Sequence, residues 1–168
     1  SGIDNTVVTY EQPVYFVRQQ PKNVIEPFRV AQPLRLLIAD TGIASSTKVA
    51  VGDVRRAWEK EPQQFEMLFA ACGEIAAAAR QAIAAGDIQH MGQLMLQNHA
   101  LLQQMTVSSV ELDRLVETAV SAGALGAKLS GAGRGGNLIA LVESEGETAI
   151  SHALQQAGAT RVIPFTLS

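Results

Sequence analysis

Near the start of the chain, hydrophobic and polar residues alternate as they do in β-strands. Val7 to Val17 is rich in Val, Tyr, Thr and Phe and is interrupted at Glu11 to Pro13, which predicts two strands joined by a short turn. Ile25 to Val30 predicts a weaker strand. Leu34 to Ala39 is a nearly continuous apolar run of strand length, which is typical of a central strand buried on both faces.

In the middle of the chain the apolar residues follow helical spacing instead. Serine and aspartate residues that can cap a helix start, together with Pro62 and the glycines that follow each stretch, divide this region into successive helices. The pattern predicts four of them, from Ser45–Thr47 to Glu61, from Pro62 to Gly86, from Asp87 through Leu102, and from Ser108 or Ser109 to Gly123.

The last forty residues return to strand spacing. Ala127 to Leu129 and Leu138 to Val142 predict strands on either side of a glycine-rich turn, Glu147 to Gln156 predicts a helix, and Arg161 to Leu167 predicts a final strand. Strands at both ends of a run of helices indicate an α+β fold, a mostly antiparallel sheet covered on one face by a layer of helices.

Composition narrows the class of protein. A chain of 168 residues with 47% hydrophobic content predicts one folded domain with a sizeable core. The net charge of −3 gives no basic footprint for nucleic acid or a membrane surface, so small-molecule chemistry is favoured. The single cysteine, Cys72, cannot form an intrachain disulfide, and no apolar run approaches the roughly 20 residues that span a bilayer. A cytoplasmic location fits these features.

The first residues are Ser-Gly-Ile-Asp, with no initiating methionine, and they lead straight into strand-like alternation. This start is what a piece cut from the interior of a longer protein would show, and we interpret the chain as a fragment. A processed N-terminus or a residual tag would give the same start.

The segment from Lys128 to Asn137 contains four glycines, which free the backbone to adopt positive φ. Its N–H groups can then converge on a phosphate, or brace a neighbouring loop that binds one. A hairpin turn that needs glycine only for its geometry explains the same residues equally well. Lys128 and Arg134 could each meet an anionic oxygen, although an exposed basic side chain beside a loop is the ordinary expectation for both.

Other candidate residues are less informative by themselves. Asp4 follows a glycine and could be a general base, but a turn-forming aspartate bonded to its own backbone is the commoner case. Asp40 ends the predicted central strand, where capping of the next loop is its expected role. His90, His99 and His152 lack the i, i+4 spacing of a helical metal pair, so the sequence predicts no metal site.

Four segments together resemble the C-terminal half of the mevalonate kinases, in the superfamily named for galactokinase, homoserine kinase, mevalonate kinase and phosphomevalonate kinase. They are Ser-Gly-Ile-Asp-Asn-Thr, Ala-Asp-Thr-Gly-Ile-Ala-Ser-Ser-Thr-Lys, Asn98 to Leu102 followed by Val107-Ser108-Ser109, and Lys-Leu-Ser-Gly-Ala-Gly-Arg-Gly-Gly. The resemblance covers essentially the whole chain and rests on the order and spacing of these segments.

The resemblance implies a role for each segment. Asp4 is similar to the family's catalytic carboxylate, which faces the substrate hydroxyl, and the glycine-rich turn is similar to the third motif, which packs beside the phosphate-binding loop. The family usually has glycine where Arg134 stands and often cysteine where Asn137 stands. The residues expected to support the phosphates are Lys128, Ser130, Gly131, Ala132, Gly133, Arg134, Gly135 and Gly136, and Thr41, Ser46 and Thr47 are expected to line the mevalonate pocket.

The family's ATP-binding motif, Pro-x-x-x-Gly-Leu-Gly-Ser-Ser, does not occur in the sequence. The resemblance therefore implies ATP and Mg²⁺ as cofactors whose ligands lie mostly in an N-terminal kinase domain, with mevalonate as substrate and no activity for this chain alone. An exposed interdomain face would favour self-association. The alternatives are another small-metabolite kinase of the superfamily, such as phosphomevalonate kinase, or a non-catalytic binding domain.

Overall fold

The computed structural model describes residues 12–168. Six strands and five helices follow one another along the described chain. The strands and helices are β1 (Val14–Val17), β2 (Val24–Pro27), β3 (Leu34–Asp40), α1 (Thr47–Lys60), α2 (Pro62–Ala85), α3 (Ile88–Gln104), α4 (Val110–Ser121), β4 (Gly126–Ser130), β5 (Asn137–Val142), α5 (Glu147–Gln156) and β6 (Arg161–Leu167).

Four strands form an antiparallel sheet in the order β4-β5-β3-β6, so the α+β fold with an antiparallel sheet is confirmed. The strand predicted to be central is β3, which pairs with β5 on one side and β6 on the other. Leu37 and Ala39 are fully buried on one face, whereas Leu36 and Ile38 on the other are half-buried. β3 therefore has buried residues on both faces, because Leu34 is also buried on the second face, but its central residues are more deeply buried on the first.

Helices lie on both faces of this sheet, whereas the sequence predicted one covered face. On the first face α4 and α5 bury Leu115 and Ile150 in the same cluster as Leu37. On the second face α3 brings Met95 against Leu141. The second layer covers mainly β4 and β5, which leaves the β3–β6 side of that face more open.

Close approach of α3 to the sheet depends on two glycines. A Cβ built on Gly126 of β4 would lie 2.1 Å from the carbonyl oxygen of Gly92 on α3, and one on Gly92 would lie 2.3 Å from that of Leu125. Any side chain at either position would push the helix away from the strand. This contact places α3 directly beside β4, the strand that leads into the glycine-rich turn.

The N-terminal strands form a separate two-stranded antiparallel pair, in which Val14 lies opposite Pro27. The second strand of the predicted hairpin is β1. The first strand of that hairpin, residues 7–10, lies outside the described residues. β1 pairs with β2, the strand predicted to be weak. Arg80 of α2 holds the pair in place, with its guanidinium 5.0 Å from the ring centroid of Tyr15 and 2.5 Å from the carboxylate of Glu26.

The four predicted helices of the middle region are all present, and capping residues account for the starts of α3 and α4 and for the end of α2. The Asp87 carboxylate accepts a hydrogen bond of 2.9 Å from the His90 N–H at the start of α3. The Ser109 hydroxyl accepts one of 3.3 Å from the Leu112 N–H at the start of α4. α2 ends at Gly86, whose φ of 74° lies in the left-handed region that glycine tolerates.

One helix among the described residues, α2, is long and apolar enough to cross a membrane by length and composition alone. A single such helix is weak evidence, because core helices of other proteins meet the same criterion. In this fold α2 packs along α3 and α1.

Candidate functional site

The glycine-rich turn joins β4 to β5 and is built from left-handed backbone. Arg134 has φ of 57°, and positive φ also occurs at Gly131, Gly133, Gly135 and Gly136. Four glycines meet this requirement without strain, while a residue with a Cβ in this region costs about 1–2 kcal/mol. The turn forms because several glycines lie between β4 and β5, whose last paired residues are Ser130 and Asn137.

Two neighbouring connections clamp the turn through its backbone. The Arg134 N–H donates to the carbonyl of Val107, in the α3–α4 connection, at 2.8 Å. From the β3–α1 connection, the carbonyl of Ile43 accepts from the Gly136 N–H at 2.9 Å, and the Thr41 N–H donates to the Gly136 carbonyl at 2.9 Å. The backbone of the turn is therefore held by hydrogen bonds to both connections.

Two glycines of the turn are also required by space. A Cβ on Gly133 would lie 1.8 Å from the carbonyl oxygen of Val107, and one on Gly135 would lie 2.6 Å from that of Ile43. Gly131 and Gly136 face open space instead. Gly133 and Gly135 therefore let the two connections approach the turn closely, and the other two serve its backbone conformation.

The turn is a hairpin by topology, yet it keeps unused donors. Within residues 12–168, no acceptor is found for the amides of Ala132, Gly133 and Gly135, whereas those of Arg134 and Gly136 are taken up by carbonyls. Successive amides in left-handed and turn backbone form concave donor sets that suit anions. The two sequence interpretations, hairpin and phosphate cradle, are thus compatible in one structure.

Arg134 is neither exposed nor directed at an open anion site. Its Nε donates to the Thr106 carbonyl at 3.2 Å, and its guanidinium pairs with the Asp53 carboxylate of α1. The hydrogen bond from Arg134 lowers the pKa of Asp53, and the nearby charge of Arg56 acts in the same direction. Arg134 therefore ties the turn to α1 and to the α3–α4 connection.

Lys128 also departs from the expected exposed position. Its side chain lies beneath α2 and α3 beside a cavity of about 180 Å³ lined by Cys72, Met95 and Asn98, among other residues. The ammonium donates to the Leu129 carbonyl at 2.8 Å. Burial lowers the pKa of Lys128 and raises the pKa of Cys72. Lys128 thus braces the strand behind the turn, on the face covered by helices.

The three candidate pocket residues lie in the connection that runs beside the turn. Thr41 is buried, and its hydroxyl accepts a hydrogen bond of 3.2 Å from the Ile43 N–H, so its side chain serves the local turn. Ser46 is exposed at the N-cap of α1 without a side-chain cap bond, and Thr47 is exposed as the first helical residue. Of the three candidates, only Ser46 and Thr47 therefore present their hydroxyls to solvent.

The candidate catalytic carboxylate, Asp4, lies outside the described residues. Ser130, at the end of β4, lies opposite Asn137 in the sheet and introduces the turn. Asp40 accepts a hydrogen bond of 2.8 Å from the Gly42 N–H, which is the loop-capping role expected for it. Within residues 12–168, no group of three or more His, Cys, Asp and Glu side chains is arranged to hold a metal ion.

A buried polar network next to the turn was not predicted from the sequence. The His99 ring, 5% exposed on α3, lies 3.0 Å from the Asp113 carboxylate and accepts a bond of 3.3 Å from the Leu129 N–H. The Ser108 hydroxyl donates to the same carboxylate oxygen at 2.5 Å. Burial lowers the pKa of His99 despite the opposing effect of Asp113. Ser108 and Ser109 mark a helix start in the sequence, but nothing in residue spacing pairs Ser108 with Asp113 or His99.

Comparison with known proteins shows the family of this chain. The structure of L. major mevalonate kinase in complex with R-mevalonate superposes with a TM-score of 0.93 and is 40% identical, covering 99% of this chain and 52% of that one. The family model described as GHMP kinases C terminal matches residues 79–160. The chain belongs to the GHMP kinases.

Two further matches are consistent with this family, one in sequence and one in fold. The mevalonate kinase of Thermococcus gammatolerans is 35% identical over 169 residues, covering 97% of this chain and 48% of the relative. Streptococcus pneumoniae phosphomevalonate kinase, in complex with phosphomevalonate and AMPPNP, shares the fold with a TM-score of 0.80 at 14% identity, covering 96% of this chain and 55% of that one. The chain thus corresponds to the C-terminal part of a GHMP kinase and spans about half the length of these relatives.

Proposed function

We propose that the chain is the C-terminal domain of an ATP-dependent mevalonate kinase. The parent enzyme would transfer the γ-phosphoryl group of ATP to the 5-hydroxyl of mevalonate, a step in isoprenoid precursor synthesis. The observation that carries the proposal is the 40% identity to L. major mevalonate kinase across 99% of this chain. The glycine-rich turn supports it, because it combines a fixed backbone with amides that have no acceptor within residues 12–168.

The role of the turn in this proposal is to support the phosphates. Phosphoryl transfer depends mainly on positioning and on donors aimed at phosphate oxygens, with little covalent chemistry by the protein. The amides of Ala132, Gly133 and Gly135 would contribute such donors, and Gly131 and Gly136 set their direction. Arg134 and Lys128 would act indirectly. Arg134 would hold the turn against α1, and Lys128 would brace β4.

Asp4 would supply the acid–base chemistry of the reaction. A carboxylate within hydrogen-bond reach of the mevalonate hydroxyl would orient it and accept its proton. Ser46 and Thr47, at the exposed start of α1, would contribute to the mevalonate pocket together with Thr41, which lies in the β3–α1 connection.

Mg²⁺ would be held mostly by residues of an N-terminal kinase domain, as the resemblance to the mevalonate kinases implies. The ATP-binding motif is likewise expected in an N-terminal kinase domain, which would be this domain's partner. The chain alone would then have no kinase activity. We also propose a cytoplasmic location, with no role in nucleic acid or membrane binding.

The experiment that tests the proposal is a coupled ADP-release assay of the natural gene product, with mevalonate, phosphomevalonate and galactose offered separately. ATP-dependent turnover with mevalonate would support the proposal. Turnover with phosphomevalonate alone would favour the phosphomevalonate kinase alternative, whose fold this chain shares. A gene product without kinase activity on any of these substrates would contradict a kinase assignment and favour a binding domain.

A further inference from the structure

An uninterrupted set of hydrogen bonds runs from the start of α4 to the strand that enters the glycine-rich turn. The Ser108 hydroxyl donates to Oδ1 of Asp113, and Oδ1 also lies 3.0 Å from Nε2 of His99. On the other side of the ring, the Leu129 N–H donates to Nδ1 of His99 at 3.3 Å. The imidazole is the central member of this set.

These contacts determine which nitrogen of the His99 ring carries the proton. Nδ1 accepts from a backbone N–H, so it carries no hydrogen, and the neutral ring must hold its proton on Nε2. Nε2 then donates to Asp113, which also accepts from Ser108. A second proton on Nδ1 would remove the acceptor of the Leu129 N–H and leave that amide without its partner in a buried place.

The position of Leu129 makes this bond important for the turn. Among residues 12–168, β4 is an edge strand of the sheet, so within this part of the chain the backbone groups on its outer side have no strand partner. His99 supplies that partner one residue before Ser130, where the turn begins. The ring therefore joins α3 to the outer edge of β4 at the entrance of the turn.

The other end of the network, at Ser108, lies in the α3–α4 connection, which also holds the turn. Ser108 directly follows Val107, whose carbonyl accepts the Arg134 N–H at 2.8 Å and lies against Gly133. Asp113, by holding the Ser108 hydroxyl, restrains this connection. One network thus restrains both the strand before the turn and the carbonyl that clamps it.

We propose that His99, in its neutral Nε2–H form, is a positioning residue that sets the glycine-rich turn relative to the α3–α4 connection. The charged groups that act on the ring are the Asp113 carboxylate of α4 and the Lys128 ammonium of β4. Asp113 favours protonation of the ring, while Lys128 and burial oppose it. The consequence for catalysis rests on the proposed kinase function, whereas the structural claim does not.

The structural claim is tested on the chain itself by NMR of ¹⁵N-labelled histidine rings across a pH titration. His90 and His152 are exposed, and their ring signals are assigned by substituting each with glutamine. We expect the His99 ring to show a protonated Nε2 and an unprotonated Nδ1 at neutral pH and to keep this form below the ordinary imidazole pKa of about 6.5, because burial lowers the pKa of His99. A His99 ring with its proton on Nδ1, or one that becomes charged at or above that ordinary value, would overturn the proposal.

Hydrogen exchange separates positioning from general stability. His99→Phe keeps an aromatic ring and removes both hydrogen bonds, and Ile150→Val, a buried change on α5, is the matched control. We expect His99→Phe to accelerate exchange at the Leu129 and Arg134 amides by about tenfold or more over the Gly136 amide, which is held by Ile43 instead. Equal acceleration of all three amides, as expected for Ile150→Val, would indicate a merely structural role.

The catalytic consequence is tested in the natural gene product. His99→Phe is expected to raise the KM for ATP about tenfold while the KM for mevalonate stays within about twofold, because only the phosphate side of the site loses its support. His152→Gln is the control. If the unmodified enzyme shows no kinase activity, the proposed function fails while the NMR and exchange results still decide the structural claim. Unchanged kinetics in an active enzyme would overturn the catalytic part.

Discussion

Arg134 of the glycine-rich turn pairs with Asp53 of α1, although the two residues are 81 positions apart in sequence. Arg134 holds this contact from a left-handed backbone conformation, with φ of 57°. The same guanidinium also reaches the carbonyl of Thr106. The Arg134 side chain therefore links the turn to two neighbouring segments, α1 and the α3–α4 connection.

Two substitutions separate the backbone and side-chain contributions of Arg134. Arg134→Ala and Arg134→Gly both remove the contacts to Asp53 and Thr106, but only glycine adopts φ of 57° without strain. We expect the glycine variant to be more stable than the alanine variant by about 1 kcal/mol in urea unfolding. Both should show faster amide exchange in the turn than the unmodified chain, because the tie to α1 is lost.

Asp53→Asn is the matched control for the ion pair, since it keeps the shape of the side chain and leaves the turn backbone unchanged. It should loosen the turn less than Arg134→Gly does, because the hydrogen bond from Arg134 to the Thr106 carbonyl remains, and it does not affect the φ requirement. If the alanine and glycine variants of Arg134 were equally stable, the left-handed conformation of this residue would be in doubt.

Gly133 and Gly131 provide a second test, because both have positive φ but differ in surroundings. A Cβ on Gly133 would overlap the Val107 carbonyl, while one on Gly131 meets nothing within 4 Å. Gly131→Ala should therefore cost about 1–2 kcal/mol of unfolding free energy, from backbone strain alone. Gly133→Ala should cost about 3 kcal/mol or more, because the α3–α4 connection must move.

Urea unfolding of the two variants measures this difference, and chemical shifts of residues 105–109 report on movement of the connection. Similar costs for the two substitutions would mean that Val107 does not press against Gly133 as the structure shows. In the parent enzyme, the Gly133 variant should also lose more activity than the Gly131 variant.

The order and type of the secondary structure could be predicted because local signals mark each boundary. Helix α5 and strand β6 have the bounds predicted from hydrophobic spacing. The distribution of helices over both sheet faces could not be predicted in this way. It depends on the Gly92–Gly126 contact between α3 and β4, and nothing in the periodicity of either segment indicates that the two meet.

For the candidate site, the four glycines were enough to predict where the turn lies, but the exposure expected for the two basic side chains beside it was wrong. Lys128 was expected at the surface and is largely covered by α2 and α3, because strand alternation turns it toward that face. His99 and Asp113 were not paired in advance, since they lie on different helices. Contacts of this kind depend on tertiary packing, which residue spacing does not encode.

Stability should depend on pH through His99. Burial lowers its pKa below the ordinary value of about 6.5, so the unfolded chain takes up a proton in a range where the folded chain does not. Stability is therefore unaffected by this group above about pH 6.5 and decreases as pH falls from 6.5 toward the folded pKa. Urea unfolding at pH 7.5 and pH 5.5 should show a larger loss for the unmodified chain than for His99→Phe.

His152→Gln serves as the control for this pH dependence, since His152 is exposed on α5. That variant should lose as much stability between the two pH values as the unmodified chain. An unaltered pH dependence in His99→Phe would show that the buried ring does not resist protonation.

Asp4→Asn tests the proposed catalytic carboxylate in the natural gene product. The amide keeps the size of the side chain but accepts no proton, so kcat should fall on the order of 10²- to 10⁴-fold. The KM for ATP should stay within about twofold, because the nucleotide is expected to bind elsewhere. Asp87→Asn, which preserves the N-cap of α3, is the control and should leave kcat nearly unchanged. Near-normal turnover of Asp4→Asn would exclude this residue from the mechanism.

The open side of the sheet predicts self-association of the chain. Ile163 and Phe165 of β6 are 37% and 48% exposed, and they lie opposite Ile38 and Leu36 of β3 on the face not covered by α4 and α5. Adjacent apolar residues on an exposed sheet face favour contact with a second apolar surface. We expect sedimentation velocity to show concentration-dependent association, and Phe165→Glu to weaken it by about tenfold or more. Val110→Glu, which changes an isolated residue 81% exposed at the start of α4, should leave it unchanged. A monomer at high concentration in the unmodified chain would contradict this prediction, and equal effects of the two glutamates would assign the change to net charge rather than to this face.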